Sequence, residues 1–180
     1  QWDEQVELAD VHVLTVDADL FLRSAVGQFD VAIVDFPDPR SIELAKLFSV
    51  EFYKTLRRSL VPNGVISVQS TNPRRATLVF SCIGKTLSAA GFRNLPYHDH
   101  VPSFGDWGWH LAWQDDRSES EVLTQLRRPA PIPVETQYLT VDGIGSAFVF
   151  GKHALEVDED VQPNRKFRPA ILAYYRRGFF

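Results

Sequence analysis

Asp35 and Asp38 stand three residues apart in the run Asp35-Phe36-Pro37-Asp38-Pro39. Proline fixes φ, so a loop carrying two of them is stiff and loses little entropy when it orders around a substrate. A carboxylate pair held this way suits a general acid/base couple, a metal site or a grip on a cationic substrate. No third carboxylate or histidine sits nearby at a ligand spacing, so no metal is expected and a cationic amine fits better. Asp17 and Gln69 also close apolar runs. Ligands of open α/β sheets bind beyond the carboxyl ends of the strands, so Asp17, Asp35, Asp38 and Gln69 are expected in one cleft. A strand-end aspartate can instead cap the helix that follows it, and for Asp17 alone that reading stands level with the first.

Other groups carry less. His98 and His100 fall on one face of a strand with no evident third ligand, which favours a surface or cleft role over a metal. Trp107, Trp109 and Trp113 alternate along another strand, where core packing explains them as well as a stacking wall does. Cys82 lies mid-helix and reads as a small buried apolar group.

The elements that must position these residues follow from hydrophobic periodicity. Val11 to Val16 and Phe29 to Asp35 read as central strands, the second nearly continuous in apolar residues and therefore buried on both faces. Between them, Asp19 to Ala25 makes a two-turn helix stopped by Gly27, completing a βαβ unit. From Ser41 to Leu60 apolar residues recur at three- and four-residue steps, predicting one long helix capped by Ser41. Pro62-Asn63-Gly64 reads as a turn before a third strand, Val65 to Gln69. Asn72-Pro73 opens a helix to about Ala90. Phe92 to His98 and Trp107 to Trp113 form an antiparallel hairpin. Glu121 to Arg128 is a short helix, and Pro129 to Pro133 is a linker or extended surface segment. In a last helix, near Arg168 to Arg177, the nearby aromatics Tyr174, Tyr175, Phe179 and Phe180 are expected to pack on the body rather than bind a ligand.

With 180 residues, 44% hydrophobic and 23% charged, the composition is that of one globular domain with a real core. A formal charge of -4 argues against nucleic acid as a partner, since phosphate contacts need a basic face. No apolar run reaches the roughly 18 residues a membrane helix needs, and the first ten residues lack the layout of a signal peptide. A single cysteine forms no internal disulfide, which points to the cytoplasm. The absence of methionine and the start at Gln1 lead us to expect missing N-terminal sequence.

The stretch VDADLFLRSAVGQFDVAIVDFPDP, followed by LAKLFSVEFYKTLRRSLVPNGVISVQS and later VPSFGDWGW, resembles the spermidine synthase family of polyamine aminopropyltransferases. The resemblance is strongest from Asp17 to Trp113, and the tail resembles the membrane-associated bacterial branch, whose tether would lie upstream of Gln1. It implies that residues 1–180 are the C-terminal part of a catalytic domain with a Rossmann-like S-adenosylmethionine-dependent transferase fold. The expected architecture is α/β, the C-terminal portion of a mostly parallel sheet closed by an antiparallel hairpin. The implied reaction moves an aminopropyl group from decarboxylated S-adenosylmethionine, a co-substrate, to putrescine or a similar amine, giving a spermidine-like product and methylthioadenosine. No prosthetic group is implied.

The resemblance carries over residue by residue. Asp35 is the proton acceptor, Asp38 holds the substrate ammonium, and Gln69 contacts the amine or the aminopropyl arm. Asp17 and Ala18 contact the adenine, with Pro39 near the nucleoside. Phe104 stands where the family's P-T-Y-P-S-G loop has its tyrosine; it can face an ammonium as a cation–π partner but not hydrogen-bond to it. Nothing like the family's G-G-G-x-G loop occurs in these residues, so this chain alone is expected to be inactive. The family also implies a homo-oligomer in the cytoplasm, on the inner face of the membrane where a tether is present. Two rival readings remain. One is a methyltransferase on the same fold, which the Asp35/Asp38 pair disfavours; the other is a non-catalytic interaction or dimerisation domain.

Overall fold

The computed structural model describes residues 10–128 and 130–179. Four strands, β1 (Phe29–Val34), β2 (Leu60–Gln69), β3 (Arg93–Val101) and β4 (Gly105–Trp113), form one sheet in the order β1-β2-β4-β3. Among these strands only β1 and β2 run parallel; β4 pairs antiparallel with both β2 and β3. Among the described residues the sheet is therefore mixed, a parallel pair closed by the expected antiparallel hairpin. Val11 to Val16 forms no strand, and its apolar side chains face solvent. An apolar run marks a segment able to pair, and this one has no ladder partner among the described residues. β1 is buried on one face only, because no described element covers the other: Val31 is 59% exposed and Ile33 79%.

Seven helices accompany the strands among the described residues: α1 (Ala18–Ser24), α2 (Ile42–Lys46), α3 (Val50–Ser59), α4 (Thr77–Ala89), α5 (Glu119–Arg127), α6 (Val141–Ser146) and α7 (Ala170–Phe179). The core joins Val34, Ile66, Val68 and Ala112 of the sheet to Phe52 and Leu56 of α3, Val79, Ile83 and Leu87 of α4, and Ile171 and Tyr174 of α7. Cys82 is fully buried as expected, and burial pushes its thiol up to about 12. The side chain of Phe179 and all of Phe180 lie outside the described residues, as does Pro129.

The long helix expected over Ser41 to Leu60 is two helices. Ser41 caps the first, and Ser49 caps the second by accepting from Phe52 N at 3.2 Å. What breaks the run is a buried asparagine distant in sequence. Asn164 Nδ2 donates to Ala45 O (2.8 Å) and Phe48 O (3.0 Å), and Asn164 O accepts from Val50 N (2.9 Å). Orphan groups at the break are thus satisfied by one residue.

Pro62-Asn63-Gly64 is a bulge inside β2 rather than a turn. Phe29 pairs with Leu60 and Val31 with Val65, so the extra residues are on β2, and a bulge tolerates proline within a sheet. Gly64 is required there, because a Cβ would sit 2.8 Å from Leu60 Cβ and 3.1 Å from Phe29 O. At Asn72-Pro73 the side chain of Asn72 accepts from Arg74 N and Arg75 N, both at 2.9 Å, and the regular helix starts only at Thr77. The hairpin forms as expected with a shorter loop, and α5 starts two residues early on a Ser118/Glu121 capping box.

Candidate functional site

Because β1 and β2 are parallel and in register at Val34 and Val68, they deliver Asp35 and Gln69 side by side at their carboxyl ends. β4 adds Trp109 directly opposite Gln69, and Trp107 lies two residues closer to the hairpin turn on the same face. The proline loop brings Asp38 back over this row. Together these elements enclose a cavity of about 620 Å³ whose lining includes Asp35, Asp38, Gln69, Phe104, Trp107, Trp109 and Tyr175. Arg40 is the only cation in the lining among the described residues, against two carboxylates.

Asp38 is held from three sides. Gln69 Nε2 donates to its Oδ1 at 3.3 Å; Thr71 Oγ1 and Tyr175 OH donate to its Oδ2, each at 3.4 Å. All three contacts are long, so the carboxylate keeps capacity for a stronger, charged donor. Gln69 is 5% exposed, and its Oε1 has no hydrogen-bond partner among the described residues. A buried carbonyl oxygen without a donor costs free energy that an incoming N–H recovers. Thr71 is buried at φ +64, a backbone region that a β-branched residue adopts only under constraint. Ser70 N donating to Gly108 O and Gly108 N donating to Thr71 O, both at 2.8 Å, supply that constraint.

His110 supports this corner from below. Its Nδ1 is 2.8 Å from Ser70 Oγ. The single hydroxyl proton of Ser70 goes to Val68 O at 2.9 Å, so the imidazole Nδ1 carries the proton and donates. The ring packs at 4.4 Å from that of Phe80, and burial pushes its pKa down to about 3, so it is neutral at physiological pH.

The expected site residues divide. Asp35, Asp38, Gln69 and Phe104 line one cavity; Phe104, at the hairpin turn, is 65% exposed and packs on Trp107. Asp17 lines a separate, smaller one with Glu43, Lys46, Leu47 and Lys166. Its Oδ1 accepts from Leu20 N at 2.9 Å, so it caps α1, of which Ala18 is the first residue. Pro39 is buried in the loop behind Asp38. The three indoles also divide: Trp113 is core, its Nε1 donating to Arg117 O, while Trp107 and Trp109 face the cavity. His98 contacts Val149 O and the Phe150 ring, and no group of three His, Cys, Asp or Glu among the described residues is placed to hold a metal.

Tyr175 is the residue that sequence reasoning missed. Read as packing, it points its hydroxyl to Asp38, and burial, followed by the Asp38 charge, raises its pKa. Its only sequence signal is position: it follows the buried Ile171 by one helical turn.

Comparison with known proteins bears on the same residues. A domain family described as the spermine/spermidine synthase domain matches residues 3–124. A polyamine aminopropyltransferase of Mycobacterium tuberculosis is 44% identical over 172 residues, which cover 94% of this chain and 31% of that protein. Polyamine aminopropyltransferase 2 of Ralstonia nicotianae is 37% identical over 169 residues, 94% of this chain and 31% of its own. The chain thus spans about a third of the length of these relatives. Among solved structures, spermidine synthase from Thermotoga maritima superposes with a TM-score of 0.66 at 20% identity, covering 85% of this chain and 53% of that one. A spermidine synthase in complex with the transition state analogue AdoDATO gives 0.67 at 21% identity, covering 85% and 54%. At that identity the likeness establishes the fold, a Rossmann-like α/β arrangement.

Proposed function

The chain belongs to the spermine/spermidine synthase family, and from that premise we propose that its cavity is the amine-acceptor site of an aminopropyl transfer. The donor is decarboxylated S-adenosylmethionine and the acceptor is putrescine or a similar amine. A free alkylamine has a pKa near that of lysine, about 10.4, so it arrives protonated and inert. Asp38 grips an ammonium of the acceptor, with Gln69 Oε1 as a further acceptor, and the indoles of Trp107 and Trp109 remove water from around it. Asp35 takes the proton from the attacking nitrogen. The nitrogen lone pair then forms a bond to the methylene carbon beside the sulfonium, the C–S bond breaks, and its electrons neutralise sulfur, giving methylthioadenosine.

On the donor side Asp17 and Ala18 contact the adenine and Pro39 lies near the nucleoside. Asp17 spends one oxygen on its helix cap, and a carboxylate has lone pairs left for an exocyclic amine. The same reading puts the protein in the cytoplasm as a homo-oligomer, held to the membrane where a tether precedes this chain. The lone buried thiol of Cys82 supports the compartment, and the bare apolar pair Val31 and Ile33 supports assembly.

The observation that carries the reading is the three-sided hold on Asp38 beside an unmet buried acceptor, in a cavity walled by indoles. A methyl donor would give that second carboxylate no task. The test is donor choice in the full-length protein: methylthioadenosine release is expected with the decarboxylated donor and putrescine together. Turnover with S-adenosylmethionine in its place would overturn the proposal.

A further inference from the structure

Beside the acceptor cavity lies a larger one, about 730 Å³, running along the outer edge of β3, where His98 N donates to Ala147 O at 2.9 Å, under the segment that carries α6. Trp109 lines both cavities. Gln69, Trp109 and Tyr97 form one row across three strands, each paired with the next, and the rings of Tyr97 and Trp109 stack at 5.5 Å and 16°. Ser67 Oγ and Tyr97 OH, 2.6 Å apart, fix that row from β2. One step towards the hairpin turn, Asp99 sits opposite Trp107 on the same face. Its carboxylate is oriented by Tyr138 OH, 3.0 Å from each oxygen, and by its bond from His100 N at 2.7 Å. The floor between Asp38 and Asp99 is therefore indole, with a carboxylate at each end.

We propose that this second cavity is a subsite for the far ammonium of a polyamine longer than a diamine, with Asp99 as its anion and Trp109, backed by Tyr97, as its aromatic wall. The inference rests on the acceptor-site reading above and names the substrate length that site prefers. Strand spacing of about 4.8 Å over two strands, with about 3.4 Å per residue over the two residues from Tyr97 to Asp99, puts Gln69 and Asp99 about 12 Å apart. With bond lengths of about 1.5 Å, a four-carbon diamine spans about 6 Å between nitrogens and a triamine about 11 Å between its ends. A diamine gripped at Asp38 stops over Trp109, whereas a triamine reaches Asp99. The two ends differ in what competes for the ligand: Asp106, also on the second cavity's wall, is paired with Arg74, which leaves Asp99 as the wall's carboxylate without a cationic partner among the described residues.

The experiment titrates putrescine and spermidine into the protein by calorimetry, for the wild type, Asp99→Asn and Asp38→Asn. An exposed ion pair with cation–π support is worth about 1 kcal/mol, or about fivefold in affinity. Spermidine is expected to bind about fivefold tighter than putrescine. Asp99→Asn should remove that preference and leave putrescine affinity unchanged, with Asp99→Glu restoring part of it. Equal affinities in the wild type, or a preference that survives Asp99→Asn, overturn the subsite while leaving the acceptor site standing. Putrescine binding that is indifferent to Asp38→Asn, or no binding by either amine, overturns the acceptor-site reading and the subsite with it.

Discussion

Acidification should destabilise this fold through one side chain, His110. The residue is 3% exposed, donates from Nδ1 to Ser70 Oγ, and has its pKa pushed down to about 3 by burial. In the unfolded chain the same imidazole titrates near 6.5. Between those values the unfolded state binds a proton that the folded state refuses, so stability falls as pH falls, beginning near 6.5 and levelling near 3. Integrated from pH 7 to pH 5, the loss is about 2 kcal/mol, and it is insensitive to the folded value because that value lies well below the window. The perturbation is His110→Asn, whose amide N–H can replace the Nδ1–H bond to Ser70 without titrating. Urea unfolding of both proteins at pH 7 and pH 5 gives the comparison. The stability advantage of the wild type over the variant should shrink by about 2 kcal/mol between the two pH values. Parallel pH dependence in the two proteins would refute the reasoning, as would an imidazole NMR signal of His110 titrating near 6.5.

Asn164→Ala should remove two buried hydrogen bonds, to Ala45 O, which keeps its bond from Phe48 N, and to Phe48 O; at about 1 kcal/mol each the expected loss is about 2 kcal/mol, read from the urea midpoint. A loss below about 1 kcal/mol would mean the helix break does not depend on it. In the full-length protein, Tyr175→Phe keeps the ring and removes the hydroxyl from Asp38, so KM for the amine should rise about two- to tenfold with kcat little changed. An unchanged KM would return Tyr175 to a packing role.

How much of this was legible in the sequence depends on how local its causes are. The Asp35 to Pro39 loop and the strand before it could be read because an apolar run and two prolines act over a few residues. The break between α2 and α3 could not, because the apolar spacing runs through it and Asn164, which makes it, is over a hundred residues away. Pro62-Asn63-Gly64 has turn chemistry, and only the pairing with Phe29 and Val31 makes it a bulge. Val11 to Val16 has strand composition, but a strand also needs a neighbour. In the site, Asp35, Asp38 and Gln69 come together because each ends its strand or begins the loop beyond it. Tyr175 and His110 stayed hidden because their roles come from α7 packing beside the loop and from β4 crossing beside Ser70.

The central claim is that Asp35 removes the proton from the attacking amine, and Asp35→Asn tests it most directly. In the full-length protein, methylthioadenosine formation from decarboxylated S-adenosylmethionine and putrescine should fall by about 10²-fold or more, the usual scale for loss of a general base. The amine should still bind, because Asp38 and Gln69 remain in place. Wild-type turnover in that variant would contradict the account.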